Sequence, residues 1–459
     1  MAAYRFGDVV LGPDSPDFHA VVAQAYANKV RPTCVCRDPD GPPMYIAHLG
    51  DQYLIKRMPY SGVSHSPDCD SFEAPGELSG RGNLDGSAIQ RADNGLVSLK
   101  FDFSLSHHGS PSARGAPTEK TSVTSNGNKL SLRGLLHYLW DEAELTKWVP
   151  GFAGKRNWFV LRRRLLAETE GKEAKKSSLS SIIYVPEFYD QERKLDIRQR
   201  RLAHLAKISG TNGKRMMVVI GEYENISEGR SDFSLLHIKH LPDFPLRMTA
   251  NLRKDFDKMF SKVVGLYEFI QDSHLMVIAT FSMDISGTPE IGEISVMLTT
   301  PNWIPIENLY DNELVELLTE KKRSFLRVLR YNLSKKDPIA SAILTDTAPE
   351  AYGLYIVLGD LDSDGPPKEA MQEFIENVHY PAWIWEPSSG VPPEFPPRGI
   401  AKKSNTATVL AAKNTEIPAR RIEPHGGTVE SRAVEPERIP ALASIATQEA
   451  ISTAGSQTK

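Results

Sequence analysis

The chain has 459 residues, 40% of them apolar, and a formal net charge of −4. That length allows two or three domains with ordinary cores, and the charge by itself excludes no class of partner. No apolar run approaches the roughly 20 residues of a bilayer span and Met1 to Arg5 opens no secretory signal, so a soluble cytoplasmic protein with no membrane partner is expected.

Residues 1–80 read as a small module. An amphipathic helix is expected over Phe18 to Ala27. All three cysteines follow, as Cys34-x-Cys36 and then His65-Ser-Pro-Asp-Cys69. Between the two pairs, Met44 to His48 and Tyr53 to Arg57 read as the strands of a β-hairpin, joined by Leu49-Gly50-Asp51. A hairpin brings its ends together, and here the ends carry the thiols and the imidazole. Three thiols and one imidazole in two pairs suit a tetrahedral Cys3His zinc site. A disulfide is one rival, and plain buried cysteine, packed as a small hydrophobe, is another. Adjacent-but-one cysteines seldom bridge, because disulfide geometry is demanding. Three cysteines also leave one unpaired, and clustered thiols in a reducing cytosol more often mean metal or redox chemistry than bridges. The expectation is structural Zn2+ on Cys34, Cys36, His65 and Cys69. Four protein ligands leave no open position for a catalytic water.

Residues 81–129 hold a strand over Leu96 to Phe103 and then a Ser-, Gly-, Pro- and Thr-rich stretch, His107 to Asn128, that reads as a flexible linker. Order resumes in 130–300. Leu132, Leu135, Leu136, Leu139 and Ala143 follow helical spacing, with Ser131 as N-cap. Helices are expected over Arg156 to Glu170 and Asp190 to Ile208, with a short strand at Ile182 to Val185 between them. From Gly154 to Arg215 there are sixteen Lys/Arg against seven Asp/Glu. Arg162, Arg163, Arg164, Lys175, Lys176, Arg200 and Arg201 are the candidate phosphate contacts, and Trp148 and Trp158 are candidates to stack on bases. The competing reading is a set of solvated helix faces. Beyond it, strands at Met216 to Tyr223, Leu235 to His240, Leu275 to Phe281 and Ile294 to Thr299, with a helix from Leu252 to Ile270, give an α+β domain with a largely antiparallel sheet.

In residues 301–387 the order is a helix from Asn308 to Leu329, strands at Ala340 to Leu344 and Leu354 to Leu358, a helix at Lys368 to Val378 and a strand at Ala382 to Trp385. This order resembles the core of restriction-endonuclease-like nucleases, which hold Mg2+ on carboxylates of two neighbouring strands. The resemblance puts Ser341 where the metal-binding Asp would stand, Tyr355 at the Glu and Val357 at the Lys. It therefore implies a degenerate, inactive nuclease domain. Residues 388–459, rich in Pro, Ser, Thr, Ala and Glu, read as a disordered tail.

Five stretches carry a wider resemblance: Arg31-Pro-Thr-Cys-Val-Cys36, Lys56-Arg-Met-Pro59, His65-Ser-Pro-Asp-Cys69, Leu132-Arg-Gly-Leu-Leu-His-Tyr-Leu-Trp140 and Asn302-Trp-Ile-Pro305. Together they are similar to a proteobacterial family catalogued only as a domain of unknown function. The resemblance implies association with plasmids and integrative elements and supplies no activity. The expected protein is thus a multidomain α+β, zinc-containing accessory protein of mobile elements. It would bind DNA or mobile-element proteins without catalysis. Two alternatives stand beside it. One is a metal-dependent nuclease with displaced carboxylates such as Glu222, Asp243, Asp284 or Glu293. The other is a protein-interaction scaffold built on the hairpin-rich middle domain.

Overall fold

A computed structural model describes residues 3–399, apart from 38, 50–51, 59–60, 93–95, 107–127, 210, 212–214, 230–231, 348 and 379. These residues belong to one compact unit. The linker expected at 107–128, save its last residue, and the tail from residue 400 lie outside the described residues. The architecture is mixed α+β, as the sequence leads one to expect.

The centre is a sheet whose pairings return on themselves. Met216–Glu228, Phe233–Ile238, Leu246–Thr249, Pro289–Thr299 and His274–Met283 follow one another, and His274–Met283 pairs again with Met216–Glu228. The two expected hairpins are there, both antiparallel. Alternate side chains point to opposite faces of a strand, and here both faces are buried. Met217, Val219, Val277 and Ala279 enter one core. Val218, Ile220, Met276 and Ile278 enter a second, beneath the Leu132–Glu142 helix. That helix starts where Ser131 Oγ accepts the Gly134 N–H at 2.9 Å. Its Leu135, Leu136, Tyr138, Leu139 and Trp140 are fully buried. The Ala250–Phe269 helix buries Leu252 and Phe256 in the first core.

A second sheet runs Ala382–Trp385, Tyr352–Ile356, Ala342–Leu344, Phe325–Arg327 and Lys147–Trp148. The first pair is parallel and the others are antiparallel. Strand pairing crosses the boundary expected at residue 300: Lys147–Trp148 pairs with Phe325–Arg327, and Pro289–Thr299 with Pro305–Ile306. The helix expected over Asn308 to Leu329 is shorter. It ends at Glu320, and Lys322 takes a left-handed φ of 56°. That turn frees Phe325 to pair with Leu344 in the sheet, where it is fully buried. The strand expected at Leu96 to Phe103 contracts to Val97–Leu99.

Residues 388–399, expected as part of the tail, pack on this sheet. Trp385 Nε1 donates to Gly390 O, Trp383 Nε1 to Glu394 O, and the Phe395 ring lies 5.1 Å from that of Trp383. The aromatic strand offers apolar surface that their composition did not reveal. No helix among the described residues is long and apolar enough to cross a membrane.

Candidate metal centre and basic face

The Cys/His group is assembled by short pieces of backbone. Thr33–Cys34 pairs with Tyr4–Phe6, setting Cys34 opposite Tyr4. The chain then turns through Val35–Arg37, which holds Cys36. Residues 41–44 run back alongside: Cys34 N donates to Pro42 O and Met44 N to Pro32 O, both at 2.8 Å. Gly41 is required there, since a Cβ on it would stand 1.7 Å from Cys34 O. The hairpin Met44–Leu49 and Gln52–Arg57 carries the chain out and back. A turn closed by Cys69 N to Ser66 O, 2.9 Å, then presents His65 and Cys69.

The four ligand atoms lie within 4.8 Å of one another. Cys34 Sγ is 3.6 Å from Cys69 Sγ. His65 Nδ1 is 3.4 Å from Cys36 Sγ and 3.6 Å from Cys69 Sγ. A tetrahedral ion about 2.3 Å from each sulfur and about 2.0 Å from the nitrogen sets sulfurs ~3.8 Å apart and sulfur to nitrogen ~3.5 Å. These three separations are close to that spacing. Two backbone amides already point at the sulfurs, Ser66 N to Cys36 at 3.5 Å and Ser71 N to Cys69 at 3.4 Å, as suits thiolates. Hydrogen bonds from Cys34 and Cys69 pull the Cys36 thiol down to about 3. The same sharing, with Cys36 the main partner, holds Cys34 well above the ordinary thiol range. Three thiols this close cannot all ionise unless a cation joins them. His65 is fully buried, and its Nε2 has no partner among the described residues. These four residues can hold a metal ion, and they form a closed set.

The expected phosphate contacts are spread over two places. Arg162, Arg163 and Arg164 lie on the Trp158–Ala167 helix; Arg200 and Arg201 lie on Lys194–Leu205. The two helices flank one segment: Arg162 Nε donates to Val185 O, and Arg200 holds Glu187 in a fork at 2.8–2.9 Å. Lys175 and Lys176 sit elsewhere, exposed in the turn between Lys172–Ala174 and Ser177–Ser178. Arg201 is a correction. Its side chain is 3% exposed and pairs with Asp243 at 2.6 Å, because it falls on the buried stripe with Ile197 and Leu205. Arg164 is paired with Glu144. Trp148 and Trp158 are corrections too: at 1% and 4% exposed, they are core side chains with no ring face open to a base.

Other residues of this face were not among the expected contacts. Phe159 is 64% and Phe188 56% exposed. Lys194, Arg198 and Lys207 are exposed and, like Arg163, form no ion pair among the described residues. An apolar ring left outside the 3.6-residue buried stripe was the available signal for Phe159.

The displaced carboxylates do not converge. Glu222 binds His274 and Lys239, Asp243 binds Arg201, and Asp284 closes the turn at Ser286 and Thr288. Glu293 lies in the strand, its N–H donated to Thr280 Oγ1. Among the described residues, no second group of three or more His, Cys, Asp or Glu side chains is gathered as the Cys/His group is. In the second sheet, Tyr355 is fully buried and its hydroxyl has no partner among the described residues.

The model of a family described as protein of unknown function (DUF1173) matches residues 4–388. The chain belongs to that family. No curated protein and no solved structure matches it. The DUF1173 match takes in the Cys/His group, the basic face and both sheets, and stops short of residue 400.

Proposed function

We propose that this DUF1173 protein binds nucleic acid through the face formed by the Trp158–Ala167 and Lys194–Leu205 helices. In this reading the Cys/His group holds zinc, which keeps the amino-terminal module in shape and does no chemistry. One observation carries it: the exposed Phe159 and Phe188 belong to the same face as Arg163, Lys194, Arg198 and Lys207, which form no ion pair among the described residues. Unpaired cations neutralise phosphates, and aromatic faces stack on bases without regard to sequence. The association with mobile DNA belongs to the same proposal and rests on the resemblance alone. So does the degenerate nuclease domain, for which the order of helix, antiparallel strands, helix and parallel strand is the support.

Fluorescence anisotropy with short single-stranded oligonucleotides tests it. Replacing Arg163, Arg198 and Lys207 with alanine weakens binding about equally for every sequence, and flattens the salt dependence by about one unit of slope per charge. If the wild-type chain shows no affinity at low salt, the reading is lost. A second reading rests on Leu195 and Leu202, 71% and 50% exposed on the same helix. They suit a protein partner. A pull-down that survives nuclease treatment and fails in Leu195→Ser, Leu202→Ser would favour it.

A further inference from the structure

A row of rings leads from the basic face to the end of the closed sheet. Phe188 lies 4.8 Å from His240, His240 5.4 Å from Trp158, Trp158 6.3 Å from Trp303, and Trp303 3.6 Å from His274, centroid to centroid. The last two rings are stacked within 8° of parallel. His240 and Trp303 both hold left-handed backbone, at φ 68° and 61°. Large side chains adopt it only where the surroundings impose it, and such strain gathers at functional sites. At Trp303 the turn is pinned by Trp303 N to Thr300 O, 2.8 Å, and Thr300 N to Ile304 O, 2.9 Å.

At the end of the row His274 Nδ1 is 2.8 Å from Glu222 Oε1, and Lys239 Nζ reaches the same oxygen at 2.6 Å. Burial pushes the Glu222 carboxyl up, but the hydrogen bonds from His274 and Lys239 hold it below the usual range. In the neutral imidazole, a proton on Nδ1 suits the ionised Glu222 and leaves the lone pair on Nε2. That nitrogen has no hydrogen bond among the described residues, and 21% of the His274 side chain is open. A carboxylate-oriented imidazole with a free outer nitrogen is equipped as a general base.

We propose that His274 is the catalytic base of a metal-independent ribonuclease activity, acting on RNA held by the adjoining basic face. This rests on the nucleic-acid reading above. Among the described residues, no Ser or Cys side chain is hydrogen-bonded to this base. RNA brings its own nucleophile, the 2′-hydroxyl, whereas DNA does not. His274 Nε2 takes the proton of the 2′-hydroxyl as that oxygen bonds to the neighbouring phosphorus. The bond from phosphorus to the 5′-oxygen breaks, and the leaving oxygen takes a proton from water. The imidazolium then returns its proton to the hydroxide. The products are a 2′,3′-cyclic phosphate and a 5′-hydroxyl end. Lys239 adds a positive charge beside the pair.

The test uses full-length, zinc-loaded protein and a short labelled single-stranded RNA in buffer without added Mg2+. Cleavage with cyclic-phosphate ends is expected, while the all-2′-deoxy strand is bound and left intact. His274→Gln should bind RNA as the wild type does and cut it about 10²–10⁴-fold more slowly. If that variant misfolds, one 2′-deoxy residue placed in the RNA must protect its own linkage from the wild-type chain. RNA that is bound and uncut overturns the inference. So does cleavage that His274→Gln leaves at full rate. RNA that does not bind at all overturns the nucleic-acid reading, and this inference with it.

Discussion

The amino-terminal module and the closed sheet are stabilised by different means. The module's own apolar cluster is Tyr4, Phe6, Phe18, Val22, Ala25, Cys34 and Met44. Seven buried side chains, with seven partly buried ones packed on them, make a small core for some seventy residues. The sheet has apolar residues on both faces and adds to two large cores. Packing alone accounts for it. In the proposed reading the module's shape depends on the zinc that joins its Cys/His group, and the sheet's does not.

Removing the metal should break the two regions apart most sharply. Structural zinc in small modules contributes on the order of 10 kcal/mol of folding free energy. A chelator strong enough to strip the proposed zinc should abolish amide protection in residues 3–57 and leave the strands between Met216 and Thr299 protected. Hydrogen exchange read by mass spectrometry separates the two. A module that stays protected after its metal has been removed would show that its core suffices.

The same contrast explains what the sequence made legible. The ligand group was readable because only one kind of chemistry uses three thiols and an imidazole at that spacing. The strands from Met216 to Thr299 were readable because β-branched and aliphatic runs between polar turns have few other outcomes. Leu246–Thr249 was missed, since Leu246 and Met248 alternate with Arg247 and Thr249 over too short a run to stand out. Phe325 was drawn into the preceding helix because its spacing from Leu318 suits a helix as well as an adjoining strand. The basic face was read by charge alone. Charge does not reveal that Arg201 faces inward or that Glu187 claims Arg200; only the packing does.

Between the two regions lies a buried ion network, and its loss should cost less than the metal but more than a packing defect. Glu142 Oε1 accepts from Arg81 at 2.7 Å and Arg91 at 3.0 Å, and Lys172 Nζ lies 3.7 Å from its other oxygen. Arg81 also meets Asp141 at 2.9 Å and Asp85 at 3.3 Å, and Arg57 pairs with Glu73. Glu142→Gln takes from Arg91 its carboxylate partner, while Arg81 keeps Asp141 and Asp85 and Lys172 keeps Glu168, and should cost about 3 kcal/mol, read from urea midpoints. Burial alone would push the Glu142 carboxyl up, but Arg91, Arg81 and Lys172 hold it well below its usual 4.5. A carboxyl with a depressed folded pKa stabilises the fold above its unfolded pKa. That contribution fades as pH falls below about 4.5 towards the folded value. Wild type should thus lose stability on acidification, and Glu142→Gln should lose less of it over the same range. Parallel acid profiles for the two chains would mean that Glu142 is not where the network's charge resides.

The smallest effect sharpens the contrast from the other side. Ile278 is fully buried in the sheet, paired with Ile220 on one strand and Ser295 on the other. Ile278→Val removes one methylene and should cost about 1 kcal/mol, because the neighbouring side chains close only part of the gap. That loss belongs to the sheet. Metal content should stay at the wild-type level, and the amides of residues 3–57 should exchange as before. If this small cavity instead loosened the module, the two regions would be sharing one cooperative unit, and the separation drawn from their cores would have to be given up.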